Sequence, residues 1–233
     1  YIFEMKYRIL QKPHRLLKIL FYKVFPKKDY YVVNTGDLKP WVFISYIPYV
    51  FYLKDEKELD KHQNRREMMV MVNSFVRQGY NVYVVNYGSK KELPNIDVKI
   101  VFGIEPLFER ACKKYPKAEK IYYATGAYYE HQNKMVKRLT DEINRLYKCS
   151  LPYKRLVTPH SSCIVADKIL QIGSRYTIET YPKNLQNKIY PIHQSTQMKQ
   201  MILHPSYSKE NEYIFMGSGG NALKGVGLLI DYF

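Results

Sequence analysis

Two stretches of this chain combine residue types that can do chemistry. The first is Gly217, Ser218, Gly219 and Gly220, followed by Lys224 and Gly225. Residues 213–216 are a short apolar run of strand type and the chain from Leu223 onward reads as a helix, so the glycines sit at a strand-to-helix junction. Glycines there can turn tightly and bring bare backbone N–H groups close to a ligand. The first N–H groups of a helix lack internal partners and lie at the positive end of its dipole, so the junction is suited to an anion, and Lys224 adds a full charge. A phosphorylated ligand is the expected guest. The second stretch is residues 125–131, Thr-Gly-Ala-Tyr-Tyr-Glu-His, in which Glu130 and His131 are candidate proton-handling or hydroxyl-binding groups.

Other phosphate-binding patterns can be checked against the same letters. A Walker A loop requires Gly-Lys followed by Ser or Thr, whereas Lys224 follows Leu223 and precedes Gly225, so that class is excluded. Gly217, Gly219 and Ala222 do fit the dinucleotide pattern G-x-G-x-x-A after a strand, as in a Rossmann oxidoreductase. The acidic ribose partner of that pattern would fall beyond Phe233. That alternative stays open here.

These stretches need elements to position them. Residues 41–47 form a continuous apolar run, as in a buried parallel strand. Residues 54–66 read as a polar loop, and 67–78 carry Met68, Met69, Val72, Phe75 and Val76 at helical spacing, ending at Gly79. Residues 81–87 are the next strand. Strand, helix, glycine and strand make a βαβ unit, which predicts an α/β fold with a Rossmann-like parallel sheet and helices on both faces. Further strands are expected at 97–102 and 120–125, with a helix after Pro106 and another over 130–148 buried through Met135, Leu139, Ile143 and Leu146. A short helix near 177–181 and a strand over 187–192 follow. Because ligands of open parallel sheets sit beyond the carboxyl ends of strands, the loops at 46–66 and 125–131 are expected to border one cleft.

Composition narrows the partners. The 37 Lys and Arg against 21 Asp and Glu leave a formal charge of +16, which favours anionic partners. Twenty-four tyrosines could stack bases, but Tyr80, Tyr83 and Tyr87 fall in strand-like runs, so a nucleic-acid-binding module is the less favoured class. Residues 1–30 interleave Leu, Ile and Phe with eight basic residues against Glu4 and Asp29, a pattern that fits an anionic membrane surface, packing on the domain, or a linker. Cys112, Cys149 and Cys163 form no C-x-x-C pair and suit a reducing cytoplasm. His160, His193 and His204 lack zinc spacing and read as loop residues, so no metal site is expected. The expected organisation is a basic amphipathic segment or linker at 1–36, a Rossmann-like domain at 37–195, a linker at 196–212 and the start of a second Rossmann-like domain at 213–233.

The junction of Gly217 to Gly220 with Lys224-Gly225, then Leu228, Leu229 and Phe233, resembles the start of the C-terminal domain in GT-B-type glycosyltransferases of the group 1 kind. Residues 73–82 resemble the opening of the N-terminal domain in that family, and residues 166–192 are similar to its last steps before the interdomain hinge. The resemblance implies transfer of a sugar from a nucleotide-diphosphate donor to a glycan or lipid-linked acceptor, in surface polysaccharide or glycan assembly. It implies that Gly217, Ser218, Gly219, Gly220 and Lys224 hold the donor diphosphate without a metal or other cofactor, and that the N-terminal domain receives the acceptor. It also raises His131, since several such enzymes place a sugar-contacting His after a strand of this domain. Cytoplasmic placement is expected, peripheral at most on the inner face of the membrane. The family's later acidic donor-site motif would lie beyond Phe233, so residues 1–233 alone are expected to be inactive.

Overall fold

The structure is a computed structural model that describes residues 29–53 and 55–194, with isolated positions 225, 229 and 232. The basic segment up to residue 28 and the junction at 217–224, Gly225 excepted, lie outside the described residues. The strands are β1 (Tyr30–Val33), β2 (Trp41–Tyr46), β3 (Asn81–Asn86), β4 (Val98–Gly103), β5 (Glu119–Ala124), β6 (Lys168–Ile172) and β7 (Ile189–Ile192). The helices are α1 (Glu56–Asp60), α2 (Gln63–Arg77), α3 (Leu107–Lys114), α4 (Tyr129–Leu146), α5 (Ser162–Val165), α6 (Arg175–Ile178) and α7 (Lys183–Gln186). A 3-10 helix, Pro48–Tyr52, follows β2.

The strands form one seven-stranded sheet in the order β1-β3-β2-β4-β5-β6-β7, so the fold is α/β and Rossmann-like. Every neighbouring pair is parallel except β1 with β3. The strands expected around residues 42, 82, 98 and 121 do lie in one parallel sheet built outward from β2. Their apolar runs demanded this. Val42, Phe43, Ile44 and Ser45 are all fully buried, which an alternating half-exposed strand could not provide.

Successive side chains of β2 serve opposite layers. Val42 and Ile44 pack with Met68 and Val72 of α2, while Phe43 packs with Leu107, Phe108 and Ala111 of α3. The crossover from β2 to β3 therefore runs over one face through α2. The crossover from β3 to β4 returns over the other face, where Leu93 and Ile96 join the α3 layer. The later connections, through α3 and α5 to α7, stay on that second face. This reversal makes the boundary between β2 and β4 the topological switch point.

Three expectations change. The sheet begins before residue 37, because Tyr30 to Val33 pair with β3 and the Tyr31 ring stacks on Phe51 at 4.0 Å. Residues 54–66 are not simply a loop: the Asp55 side chain accepts from Lys57 N and starts α1, and His62 Nδ1 accepts from Asn64 N and starts α2 at Gln63. In α4 the buried residues are Val136 and Thr140, while Leu146 is exposed and Met135, Leu139 and Ile143 are only half-buried. The helix is rolled so that Asn133 can bond both the N–H and the carbonyl of Val157, each at 2.8 Å. At the end of α2, Gly79 takes φ +89°, the left-handed geometry that lets the chain leave the helix and enter β3.

Candidate functional site

At the switch point the strand ends are zipped together. Ser45 Oγ donates to the Ile104 carbonyl at 2.7 Å and Ile104 N donates to the Ser45 carbonyl at 3.0 Å. Gly103 lies between them with its backbone against Ser45. The space for a ligand opens one strand over, at the carboxyl ends of β4 and β5, on the face covered by α3 and α5.

There a cavity of about 240 Å³ is lined by Glu105, Tyr122, residues 125–129, Gln132, Arg155, Val157, His160, Cys163 and Tyr181. Each wall has a local cause. Glu105 lies two residues past the end of β4, and Tyr122 Oη donates to its Oε2 at 2.7 Å. The loop after β5 is held from two sides, since Tyr181 Oη donates to the Gly126 carbonyl at 2.9 Å and Tyr128 N donates to Thr180 Oγ1 at 3.0 Å. Residues 147–161 form a strap back along α4. Gln132 Nε2 donates to the Arg155 carbonyl at 3.1 Å, an approach that uses the left-handed backbone of Arg155, φ +65°. The strap delivers His160, whose ring sits 5.2 Å from Tyr129 and 5.8 Å from Tyr122. His160 Nδ1 is buried with no hydrogen-bond partner among the described residues.

Electrostatically the cavity sets the Glu105 side chain among the phenols of Tyr122, Tyr129 and Tyr181. Burial, with the neighbouring Glu105 charge, holds the Tyr122 phenol well above its ordinary range, so it stays a donor to Glu105. Burial raises Tyr181 likewise and pushes the Cys163 thiol up to about 12, so that thiol is not a ready nucleophile. The Tyr129 phenol, bonded to Glu130 Oε1 at 3.0 Å, is also raised to about 12. The resulting inventory is a carboxylate, an imidazole with an open nitrogen, an amide, a guanidinium and a half-buried aromatic ring. It suits a polyhydroxylated guest the size of a monosaccharide, with hydroxyls on the polar groups and an apolar ring face against Tyr129. Among the described residues no three His, Cys, Asp or Glu side chains gather into a metal-binding group.

The sequence-derived candidates fall unevenly about this cavity. Residues 125–129 line it, whereas Glu130 and His131 are exposed on the first turn of α4 and do not. The histidine brought to the cavity is His160, which the spacing argument had read as a loop residue. Gly217, Ser218, Gly219, Gly220 and Lys224 lie outside the described residues. Residues 46–66 share the sheet end but turn to the opposite face and contribute nothing to the cavity. On that face Tyr123 Oη donates to Glu67 Oε2 at 2.9 Å, and Tyr46 Oη is buried without a partner among the described residues.

Comparison with protein-family models, with curated proteins and with solved structures finds no match. The cavity must therefore be interpreted from its own chemistry.

The raised acids carry a testable consequence. Burial pushes Cys112 and Cys163 from 9.0 to about 12 and Tyr115 from 10.0 to about 12, and raises Tyr46, Tyr122, Tyr123 and Tyr181 further. Above pH 9 the unfolded chain gives up these protons before the folded one, so the folded state binds more protons and stability falls as pH rises. The contribution is fully present below pH 9 and is lost progressively through pH 12. Urea melts should show a level midpoint from pH 7 to 9 and a steep decline from pH 10. A midpoint independent of pH up to 11 would show that these groups are not buried in their neutral forms.

Proposed function

We propose that this chain carries the acceptor-side domain of a GT-B-type glycosyltransferase and that the cavity beyond β4 and β5 receives the acceptor. The observation that carries the proposal is the polar cavity itself, at the carboxyl end of a parallel sheet, with Glu105 and His160 in its lining. The sequence junction of Gly217, Ser218, Gly219, Gly220 and Lys224 complements it as a place for the donor diphosphate. In the reaction the acceptor oxygen bonds to the anomeric carbon and the bond from that carbon to the diphosphate oxygen breaks. The acceptor proton passes to Glu105, directly or through His160, and the negative charge that grows on the leaving diphosphate is met by fixed N–H groups and Lys224.

The test uses the full-length gene product with a panel of nucleotide-diphosphate sugars and lipid or glycan acceptors, following nucleoside diphosphate release. One donor should be turned over in an acceptor-dependent way. Lys224→Ala should lower kcat by roughly ten- to a thousandfold with a smaller change in the donor's KM, because the ammonium opposes charge that develops only as the sugar leaves. Lys224→Arg should restore part of the rate, since a planar fork does not place its charge where a compact ammonium does. Absence of any acceptor-dependent turnover, together with no binding of uridine, guanosine or adenosine diphosphate, would remove the proposal.

A further inference from the structure

The strap that carries His160 has a second side. It runs antiparallel to α4, pinned at Asn144, whose side chain bonds both backbone groups of Leu151, at Asp141, which accepts from Tyr153 Oη at 2.7 Å, and at Asn133 beside Val157. These bonds fix the backbone yet leave large apolar side chains outside. Leu146, Tyr147, Leu151, Tyr153 and Leu156 are each between 41% and 56% exposed. The same stretch, residues 134–155, contains Lys134, Lys137, Arg138, Arg145, Lys148, Lys154 and Arg155 against only Asp141 and Glu142. One of those two acids is already engaged by Tyr153.

We propose that this surface, the end of α4 and residues 147–156, docks on an anionic lipid bilayer. Two physical features choose the bilayer over a protein. Cores of protein interfaces are depleted in charge, lysine included, whereas here Leu146, Tyr147, Tyr153 and Leu156 each adjoin a Lys or Arg in the chain and Leu151 lies between Lys148 and Lys154. A self-association through this face would also bring two strongly basic surfaces together. At a membrane the same mixture is favourable: leucine and tyrosine side chains enter the boundary between head groups and acyl chains, while lysine and arginine reach back to lipid phosphates along their own apolar stems. The strap is held by backbone and side-chain bonds before contact, so docking orders little that is not ordered already.

The surface is also joined to the cavity. Arg155 and Val157 of the strap, with Gln132 of α4, form one of its walls. Docking would hold the cavity close to the head groups, where a lipid-borne guest could enter without leaving the bilayer. The docking itself does not depend on the sugar-transfer proposal and can fail or succeed separately.

The experiment is vesicle co-sedimentation of the full chain, without donor or acceptor, on phosphatidylcholine vesicles with and without phosphatidylglycerol. All proteins carry Lys18→Glu and Lys23→Glu, so that the basic segment at the start of the chain does not supply the binding. Binding should require phosphatidylglycerol and weaken at least tenfold between 50 mM and 500 mM salt. Adding Lys148→Glu with Lys154→Glu should weaken it at least tenfold. Leu151→Ser should weaken it severalfold even at low salt, because it removes insertion but no charge. Circular dichroism melts unchanged by these exposed substitutions confirm that folding is not the cause. Vesicle binding unaffected by both sets of substitutions overturns the proposal, as does a concentration-dependent dimer that Leu151→Ser dissociates while vesicle binding persists.

Discussion

Gly103→Ala should lower the free energy of unfolding by about 4 kcal/mol, seen as a large fall in the urea midpoint with little change in slope. A Cβ at Gly103 would lie 2.1 Å from the Ser45 carbonyl oxygen, 2.8 Å from its carbon and 2.9 Å from the Ser45 nitrogen. All three are backbone atoms of the central strand β2, so no flexible side chain can swing away. The backbone at Gly103 also takes φ +132°, which costs an alanine about 1–3 kcal/mol before any clash is counted. Separating the strands enough to admit the methyl would break the two bonds between Ser45 and Ile104, at about 1 kcal/mol each. Gly79→Ala is the control. Its φ is +89° but nothing lies within 4 Å of the added Cβ, so only the backbone term of about 1–2 kcal/mol applies. Equal losses at the two positions would mean that the contact of β4 with β2 is looser than described, and with it the claim that the switch point is closed.

The parallel sheet was legible because its signals are local. Apolar runs such as residues 41–46 and 81–86, and the Met68, Val72 face of α2, announce burial through spacing alone. The strand order β3-β2-β4 also follows from simple rules, since each right-handed crossover commits the chain to one face. The site was less legible, for a physical reason. Glu130 and His131 stand in the right loop, but a helix begins at Tyr129 and its first turn points both side chains into solvent. The position of Glu105, two residues past the end of β4, did carry a signal, as the exit of a strand beside the switch point. His160 carried none: it reaches the cavity only because Asn133 and Gln132 tie the strap along α4, contacts that span 24 and 23 residues of sequence. The strand β1 was hidden for a related reason. Tyr30 and Tyr31 follow a long run of basic amphipathic sequence, and their partners Val85 and Val84 lie far along the chain.

The residue on which the acceptor-side proposal turns is Glu105, and its replacement by glutamine is expected to lower kcat by roughly a hundred- to ten-thousandfold in the full-length protein, the range typical of a lost general base. Glutamine keeps the size of the side chain and an oxygen to accept the Tyr122 hydroxyl, so the fold should be preserved within about 1 kcal/mol. The acceptor's KM should change less than kcat, because an amide still hydrogen-bonds a hydroxyl but cannot take its proton as the glycosidic bond forms. Tyr122→Phe distinguishes positioning from proton transfer. It removes the 2.7 Å bond that holds the carboxylate in place but leaves the base, so its loss in kcat should be smaller than that of Glu105→Gln. His160→Gln should resemble Glu105→Gln if the imidazole relays the proton, and should mainly raise the acceptor's KM if it only binds the hydroxyl. Glu130→Gln and His131→Gln, exposed and outside the cavity, should stay within about twofold of the parent, an effect too small to reach 0.5 kcal/mol. If instead His131→Gln abolishes turnover while Glu105→Gln leaves it unchanged, the acceptor does not sit beyond β4 and β5. The reacting groups must then be sought along the outer face of α4.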